Sequence, residues 1–147
     1  MKYTVDYFID KFSKIPDNFW GKGNESFYDK EVKCALGHCK VNTYDSYYPK
    51  QGLGDEMQGL AKLLNNSINE QESQTQGITV YNITNVFMIN DKSSMFPQYN
   101  QVTPKERILA ALYDIKVLQQ VNKIEVPEEL LLIEKSDYLE KQIKELV

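Results

Sequence analysis

All of the thiol and imidazole chemistry available to this chain lies in one short segment. The only histidine and both cysteines fall within Cys34-Ala35-Leu36-Gly37-His38-Cys39. If the segment is helical, Cys34 and His38 lie one turn apart, because residues four apart are neighbours on a helix. An imidazole beside a thiol can take its proton and create a nucleophile. The segment is therefore the first candidate for a catalytic site.

A cysteine-dependent hydrolase or transferase also needs a third group that orients the histidine. The pair Asn90-Asp91, at the end of an apolar segment, is the candidate for that position. The catalytic hypothesis uses Cys34, His38 and Asp91, with Asn90 as a residue that fixes a ligand beside them. A cysteine in the body of a helix gains little from the helix dipole, however, so its thiol would not be strongly activated.

The same two residues form half of a possible metal site. Tetrahedral zinc needs four ligands, or three ligands and a water molecule. Glu31 and Asp91 are the only nearby residues that we can argue for as further ligands of Cys34 and His38, and no second cluster of Cys and His completes a structural site. We therefore predict no metal and no cofactor.

Packing is the simpler explanation of the segment. A helix over residues 29–40 would place four apolar residues on one face: Val32, Ala35, Leu36 and Cys39. Cys34 and His38 would lie on another side. Free cysteine is among the most buried residue types, and a mid-helix glycine such as Gly37, which costs about 1 kcal/mol relative to alanine, often permits close approach of another backbone. On this interpretation His38 caps a carbonyl or meets the Asn90-Asp91 turn, and neither Cys34 nor His38 has a catalytic role.

The elements that must position these residues are mainly helices. Apolar residues recur at helical spacing after Thr4, a good N-cap, and again between Met57 and Ile68. The segment 78–89 is rich in Val, Ile, Thr, Tyr and Phe, which favours one or two short strands. Thr103-Pro104-Lys105-Glu106 is a capping sequence, and it predicts a central, largely buried helix. The expected fold is α+β: a mainly helical single domain with a small two-stranded sheet.

The last part of the chain has a different character. We expect a single globular domain over residues 1–125 and a C-terminal amphipathic helical extension over residues 126–147. Leu132, Leu139 and Leu146 share one heptad position, although the seam is too short to indicate a coiled coil. The extension could pack on the domain, pair with a second copy or bind a partner, and Leu139 and Ile143 are its candidate contact residues.

A tyrosine-rich segment is the second candidate for a contact surface. Tyr44, Tyr47 and Tyr48 precede Pro49, and tyrosine supplies large contact area at low entropic cost. The same rings could instead fold back over the core. The partner-binding candidates are therefore the three tyrosines, Asn90, and the two apolar residues of the extension.

Composition excludes several classes of function. The net charge is −4 and no long basic run occurs, which argues against nucleic acid and against an anionic membrane surface. No apolar run approaches the roughly 20 residues that span a bilayer, and the first residues do not resemble a secretory signal. We expect a cytoplasmic protein with free thiols.

The order of motifs resembles a family of small bacterial and phage proteins and domains of unknown function. The resemblance depends on the Trp-Gly loop Phe19-Trp20-Gly21-Lys22-Gly23, the segment Cys34-Ala35-Leu36-Gly37, the Asn90-Asp91 turn and the capped helix from Thr103 to Leu112. It covers roughly the first four-fifths of the chain. The tyrosine-rich segment, the polar segment before residue 78 and the charged C-terminal helix depart from the family. The resemblance implies fold boundaries and a bacterial, phage or mobile-element origin, but no activity.

Together these observations predict a small cytoplasmic binding protein without enzymatic activity. Its expected partner is another protein or a second copy of itself. The alternative is the cysteine-dependent hydrolase or transferase that uses Cys34 and His38.

Overall fold

The computed structural model describes residues 3–39, 54–67, 73–75, 78–80, 83–125 and 127–146. Within these ranges the chain is mainly helical and contains seven α-helices. In chain order they are α1 (Val5–Ser13), α2 (Asn24–Tyr28), α3 (Ala35–His38), α4 (Asp55–Ser67), α5 (Thr84–Asn90), α6 (Pro104–Asn122) and α7 (Leu132–Leu146). A short 3₁₀ helix, Asp17–Phe19, lies between α1 and α2.

The two helices with the clearest local signals begin where the sequence predicts. The Thr4 hydroxyl accepts a hydrogen bond from the Tyr7 amide at 3.1 Å, and α1 follows. The Thr103 hydroxyl accepts from the Glu106 amide at 3.1 Å, with Pro104 as the first residue of α6. In both cases the cap satisfies an amide that the helix itself leaves without an acceptor.

The core surrounds α6, which contacts α1, α3, α4, α5 and α7. Its inward side chains pack against the aromatic stripe of α1 and the aliphatic stripe of α4, as the helical spacing predicts. The large side chains that are fully buried include Phe8, Phe12, Phe27, Leu36, Met57, Leu60, Leu64, Val86, Ile89, Ile108 and Leu112. One continuous apolar cluster therefore joins the N-terminal half of the described chain to its C-terminal half.

The predicted α+β class is wrong, because the chain is mainly helical and a sheet that would define the class is not shown. Much of the segment predicted to be strand is helical instead, as α5. Val86, Ile89 and Asn90 all point into the core at helical spacing, so burial of this face overrides the β-propensity of the residues. Among the residues that the structure describes, extended pairing consists of a short antiparallel hairpin of three-residue strands, β1 (Ser73–Thr75) and β2 (Ile78–Val80), and one bridge between Trp20 and Lys33.

The predicted helix over residues 29–40 is also replaced by a different arrangement. The Asp29 carboxylate accepts from the amides of Glu31 and Val32, both at 2.8 Å, and forms a turn after α2. The chain then runs extended through Lys33, and helix α3 begins only after Cys34. A side chain that bonds its own backbone competes with helix formation, which explains why the helical pattern is interrupted here.

The close approach expected at Gly37 is present. A Cβ atom at this position would lie 3.0 Å from the Lys33 Cβ, 3.1 Å from the Ser26 carbonyl oxygen and 3.4 Å from the Phe27 Cα. Two of these neighbours are backbone atoms at α2, so the absence of a side chain lets α2 and α3 pack directly on each other. This contact fixes the position of the Cys34 segment on the core.

Candidate functional site

Cys34 is the N-cap of α3 and not a residue of a helix body. Its Sγ accepts a hydrogen bond from the Gly37 amide at 3.4 Å, and only 2% of the residue is exposed. Cys39, at the other end of α3, is fully buried, and burial raises the pKa of its thiol well above the usual value. Neither cysteine is in a disulfide, and both belong to the apolar core.

His38 faces the Trp-Gly loop. Its Nε2 lies 2.8 Å from the carbonyl oxygen of Phe19, and its ring centre is 4.9 Å from that of Trp20. A carbonyl oxygen only accepts, so Nε2 carries a hydrogen and donates it. Burial is the largest influence on the imidazole and lowers its pKa, with the Phe19 carbonyl opposing the shift. His38 is therefore uncharged near neutral pH and joins α3 to the loop.

Asn90 and Asp91 join the end of α5 to both of these segments. The Asn90 Oδ1 accepts from the Ala35 amide at 3.0 Å, and its Nδ2 donates to the Gly21 carbonyl at 2.9 Å. The same Nδ2 donates to the Asp91 Oδ1 at 2.8 Å, and that oxygen accepts from the Gly23 amide at 3.1 Å. The Asn90 side chain is thus hydrogen-bonded at both ends of its amide in a buried position.

Gly23 has a conformation that only glycine adopts easily. Its φ is 84°, in the region that a side chain disfavours. Its amide is therefore presented to Asp91 by a backbone turn that another residue would strain. The Trp-Gly loop uses this glycine to reach the Asp91 carboxylate.

Arg107 completes the cluster from α6. It is 2% exposed and donates to four backbone carbonyls, those of Ile89, Asn90, Gln101 and Val102, at 2.6 to 3.2 Å. Two of these carbonyls belong to the C-terminal end of α5, where the helix dipole favours a cation. Burial lowers the pKa of the guanidinium, yet arginine stays protonated in proteins.

The motifs that carry the family resemblance therefore meet in one buried hydrogen-bond cluster. The Trp-Gly loop supplies carbonyl and amide groups, α3 supplies an amide, the Asn-Asp pair joins them, and the capped helix supplies the guanidinium. Sequence reasoning missed Arg107. One signal was present, since the chain has a single arginine against sixteen lysines and places it beside Ile108 on an apolar helix.

The three proposed catalytic residues make hydrogen bonds to backbone groups of this cluster and, in the case of Asp91, also to the Asn90 side chain. Cys34 bonds to Gly37, His38 bonds to Phe19, and Asp91 bonds to Gly23 and Asn90. Nucleophilic catalysis needs a thiol that substrate can reach and a base oriented toward it. The arrangement instead satisfies buried amides and carbonyls, which stabilises the packing of four segments. The catalytic role of Cys34, His38 and Asp91 stays a hypothesis from the sequence.

The described residues hold no group of three or more His, Cys, Asp or Glu side chains that is placed to bind a metal ion. Glu31, considered as a ligand from the sequence, is exposed and lies in the turn formed by Asp29.

A second buried polar cluster, also missed from the sequence, joins α1 to α4. Glu56 is 6% exposed and accepts from the Tyr7 hydroxyl and from the Lys11 ammonium, the latter at 2.8 Å. The hydrogen bond to Glu56 raises the pKa of Tyr7. Charge on Glu56 is thus compensated by a cation and a donor, as a buried carboxylate requires.

The first two residues of helix α7 and the residue before it present apolar side chains to solvent. Leu131, Leu132 and Ile133 are 71%, 86% and 77% exposed, and no residue of α7 is buried. The two residues predicted as contacts, Leu139 and Ile143, are half-buried on a helix that contacts α6. The apolar surface of this region is therefore concentrated at the start of α7. Tyr44, Tyr47 and Tyr48 lie outside the described residues.

Comparisons with known proteins do not assign this chain to a family. No protein-family model matches this chain, and no match is found among curated proteins or solved structures. The resemblance to small bacterial and phage proteins stays a prediction from the sequence. Within the described ranges, no helix is both long enough and apolar enough to cross a membrane.

Proposed function

We propose that this chain is a cytoplasmic, non-enzymatic binding protein that holds another protein at the start of α7. One observation carries the proposal. Leu131, Leu132 and Ile133 are consecutive and largely exposed. We call these three residues the apolar patch.

The apolar patch is costly to leave in water. Burying one large aliphatic side chain contributes roughly 1.5–3 kcal/mol, and contiguous exposed apolar residues are typical of interaction sites. Single exposed apolar residues need no such explanation. Three in a row at a helix start therefore favour a partner.

The backbone around the apolar patch is ordered by hydrogen bonds. The Leu130 amide donates to the Pro127 carbonyl at 3.4 Å, and the Lys135 amide donates to the Leu131 carbonyl at 2.8 Å. The patch is thus held on a turn and the first turn of a helix, which lowers the entropy lost when a partner binds.

The test compares the wild type with two triple variants. The patch variant is Leu131→Gln, Leu132→Gln, Ile133→Gln, because glutamine is a good helix former. The control variant is Glu140→Gln, Lys141→Gln, Glu145→Gln, on exposed positions of the same helix. Circular dichroism verifies that all three proteins fold alike.

Binding is then measured by affinity purification with quantitative mass spectrometry, and self-association by light scattering. The proposal expects a partner that the wild type and the control variant retain and the patch variant loses. A partner set that is the same for all three proteins would overturn it.

A further inference from the structure

The charge of the segment that contains the apolar patch indicates which kind of partner the patch binds. Residues 123–137 contain five carboxylates and two lysines, a net charge of −3 out of −4 for the whole chain. All five carboxylates are exposed, and they belong to Glu125, Glu128, Glu129, Glu134 and Asp137. We call these five residues the acidic rim.

The acidic rim is not neutralised within the described chain. The ion pairs there are Lys11–Glu56, Lys14–Asp10, Lys116–Asp6 and Lys144–Glu140, and none includes a residue of the rim. Glu134 lies in the first turn of α7, where a carboxylate complements the helix dipole. This interaction with the helix dipole accounts for Glu134 but not for the other four carboxylates of the rim.

We infer that the apolar patch and its acidic rim bind a basic amphipathic segment of a partner protein, an inference that rests on the proposed function. The apolar face of such a segment covers Leu131, Leu132 and Ile133. Its lysines or arginines face the acidic rim, which adds attraction at encounter and selects against acidic partners.

Charge also decides between this partner and the other candidates. A symmetric pair of two copies places the same patch on both subunits, so the two acidic rims would face each other and repel. An anionic membrane surface attracts clustered lysine and arginine, not carboxylates. A basic amphipathic segment is complementary to both parts of the surface, because its apolar face matches the apolar patch and its positive charges match the acidic rim.

The test uses three synthetic helical peptides with the same leucine pattern. Lysine occupies the polar positions of the first peptide, glutamine those of the second and glutamate those of the third. Fluorescence anisotropy measures their dissociation constants for the full chain at low and high salt. The inference expects the lysine peptide to bind at least about tenfold more tightly than the glutamate peptide, with a difference that shrinks as salt screens the charges.

Matched variants assign the effect to the site. The rim variant Glu128→Gln, Glu129→Gln, Glu134→Gln removes three of the five negative charges of the acidic rim. The control variant Asp17→Asn, Glu25→Gln, Glu31→Gln removes three charges from exposed positions elsewhere. The lysine peptide is expected to bind the rim variant about tenfold more weakly and the control variant nearly as well as the wild type.

The outcomes separate this inference from the proposed function. Equal binding of all three peptides that the patch variant abolishes would overturn the basic partner and leave the apolar patch as a binding surface. Binding of the lysine peptide that neither the rim variant nor the patch variant weakens would overturn both. A dimer in light scattering that the patch variant dissociates would replace the basic segment with a second copy.

Discussion

The guanidinium of Arg107 donates a 2.6 Å hydrogen bond to the carbonyl oxygen of Asn90. Asn90 in turn uses its side chain to hold Ala35 and Gly21. One arginine on the central helix is therefore connected, through a single asparagine, to the Cys34 segment and the Trp-Gly loop. A substitution of Arg107 or of Asn90 should therefore weaken the packing of both the Cys34 segment and the Trp-Gly loop.

Arg107→Lys tests the arginine directly. Lysine keeps the charge but cannot reproduce the planar fork that reaches four carbonyls, so buried acceptors lose their donors. We expect the free energy of unfolding to fall by roughly 2–4 kcal/mol. Urea denaturation followed by the fluorescence of Trp20, a buried reporter, measures the change. Lys123→Ala, at an exposed position, is the control, and equal midpoints for both variants would contradict the prediction.

Asn90→Asp tests the asparagine by exchanging a donor for an acceptor. At neutral pH the new carboxylate would face the Gly21 carbonyl and Asp91, and we expect a loss of roughly 2–4 kcal/mol. Burial and the nearby carboxylate raise the pKa of the introduced group above its unfolded value. Its protonated form can donate again, so the deficit relative to wild type should shrink as pH falls through that raised pKa.

Asn100→Asp provides the same charge change at an exposed position. Urea midpoints at pH 7 and pH 4.5 for wild type and both variants measure the effect. A deficit in Asn90→Asp that is constant with pH would show that the lost donor is not its cause.

The sequence predicts the fold best where the signals are local. Thr4 and Thr103 mark the starts of α1 and α6, because a cap and a periodic stripe occupy neighbouring positions. The strand prediction fails at α5 because burial of Val86 and Ile89 is a tertiary effect. The helix prediction fails before Cys34 because the Asp29 side chain forms a turn that apolar periodicity does not reveal.

The candidate site is less predictable for a related reason. Cys34, His38 and Asn90 are recognisable by residue type, but their bonds go mostly to backbone groups of the Trp-Gly loop and α3. Backbone carbonyls and amides carry no signal in a sequence. For the same reason the role of Arg107 becomes visible only when its four carbonyl acceptors are brought together in space.

The lowered pKa of His38 gives a stability that depends on pH. Above the unfolded pKa of about 6.5 the imidazole is neutral in both the folded and the unfolded state, so the shifted pKa does not change the free energy of unfolding. Below that value the unfolded chain binds a proton more readily than the folded chain, so stability is lost as pH falls toward the folded pKa. Because His38 is the only histidine, its ring resonances in NMR report the folded pKa without ambiguity.

His38→Gln keeps a donor for the Phe19 carbonyl and removes the titration. Between pH 7.5 and pH 5.5 the wild type should lose more stability than the variant does. The difference in slope is the quantity to compare, since the variant also loses the ring contact with Trp20. Parallel slopes, or a folded pKa at or above 6.5, would contradict this account.

Alkylation of the two thiols separates packing from catalysis. Cys34 and Cys39 are 2% and 0% exposed, and alkylation needs an accessible thiolate, so both should react roughly a hundredfold or more slowly in the native protein than in urea. The raised pKa of Cys39 slows that residue further near neutral pH. Single variants Cys34→Ala and Cys39→Ala, labelled with iodoacetamide and followed by intact mass, assign each rate to one residue. A native Cys34 that reacts as fast as the unfolded chain, with a rate that follows a low thiol pKa, would contradict the packing role and favour the hydrolase or transferase.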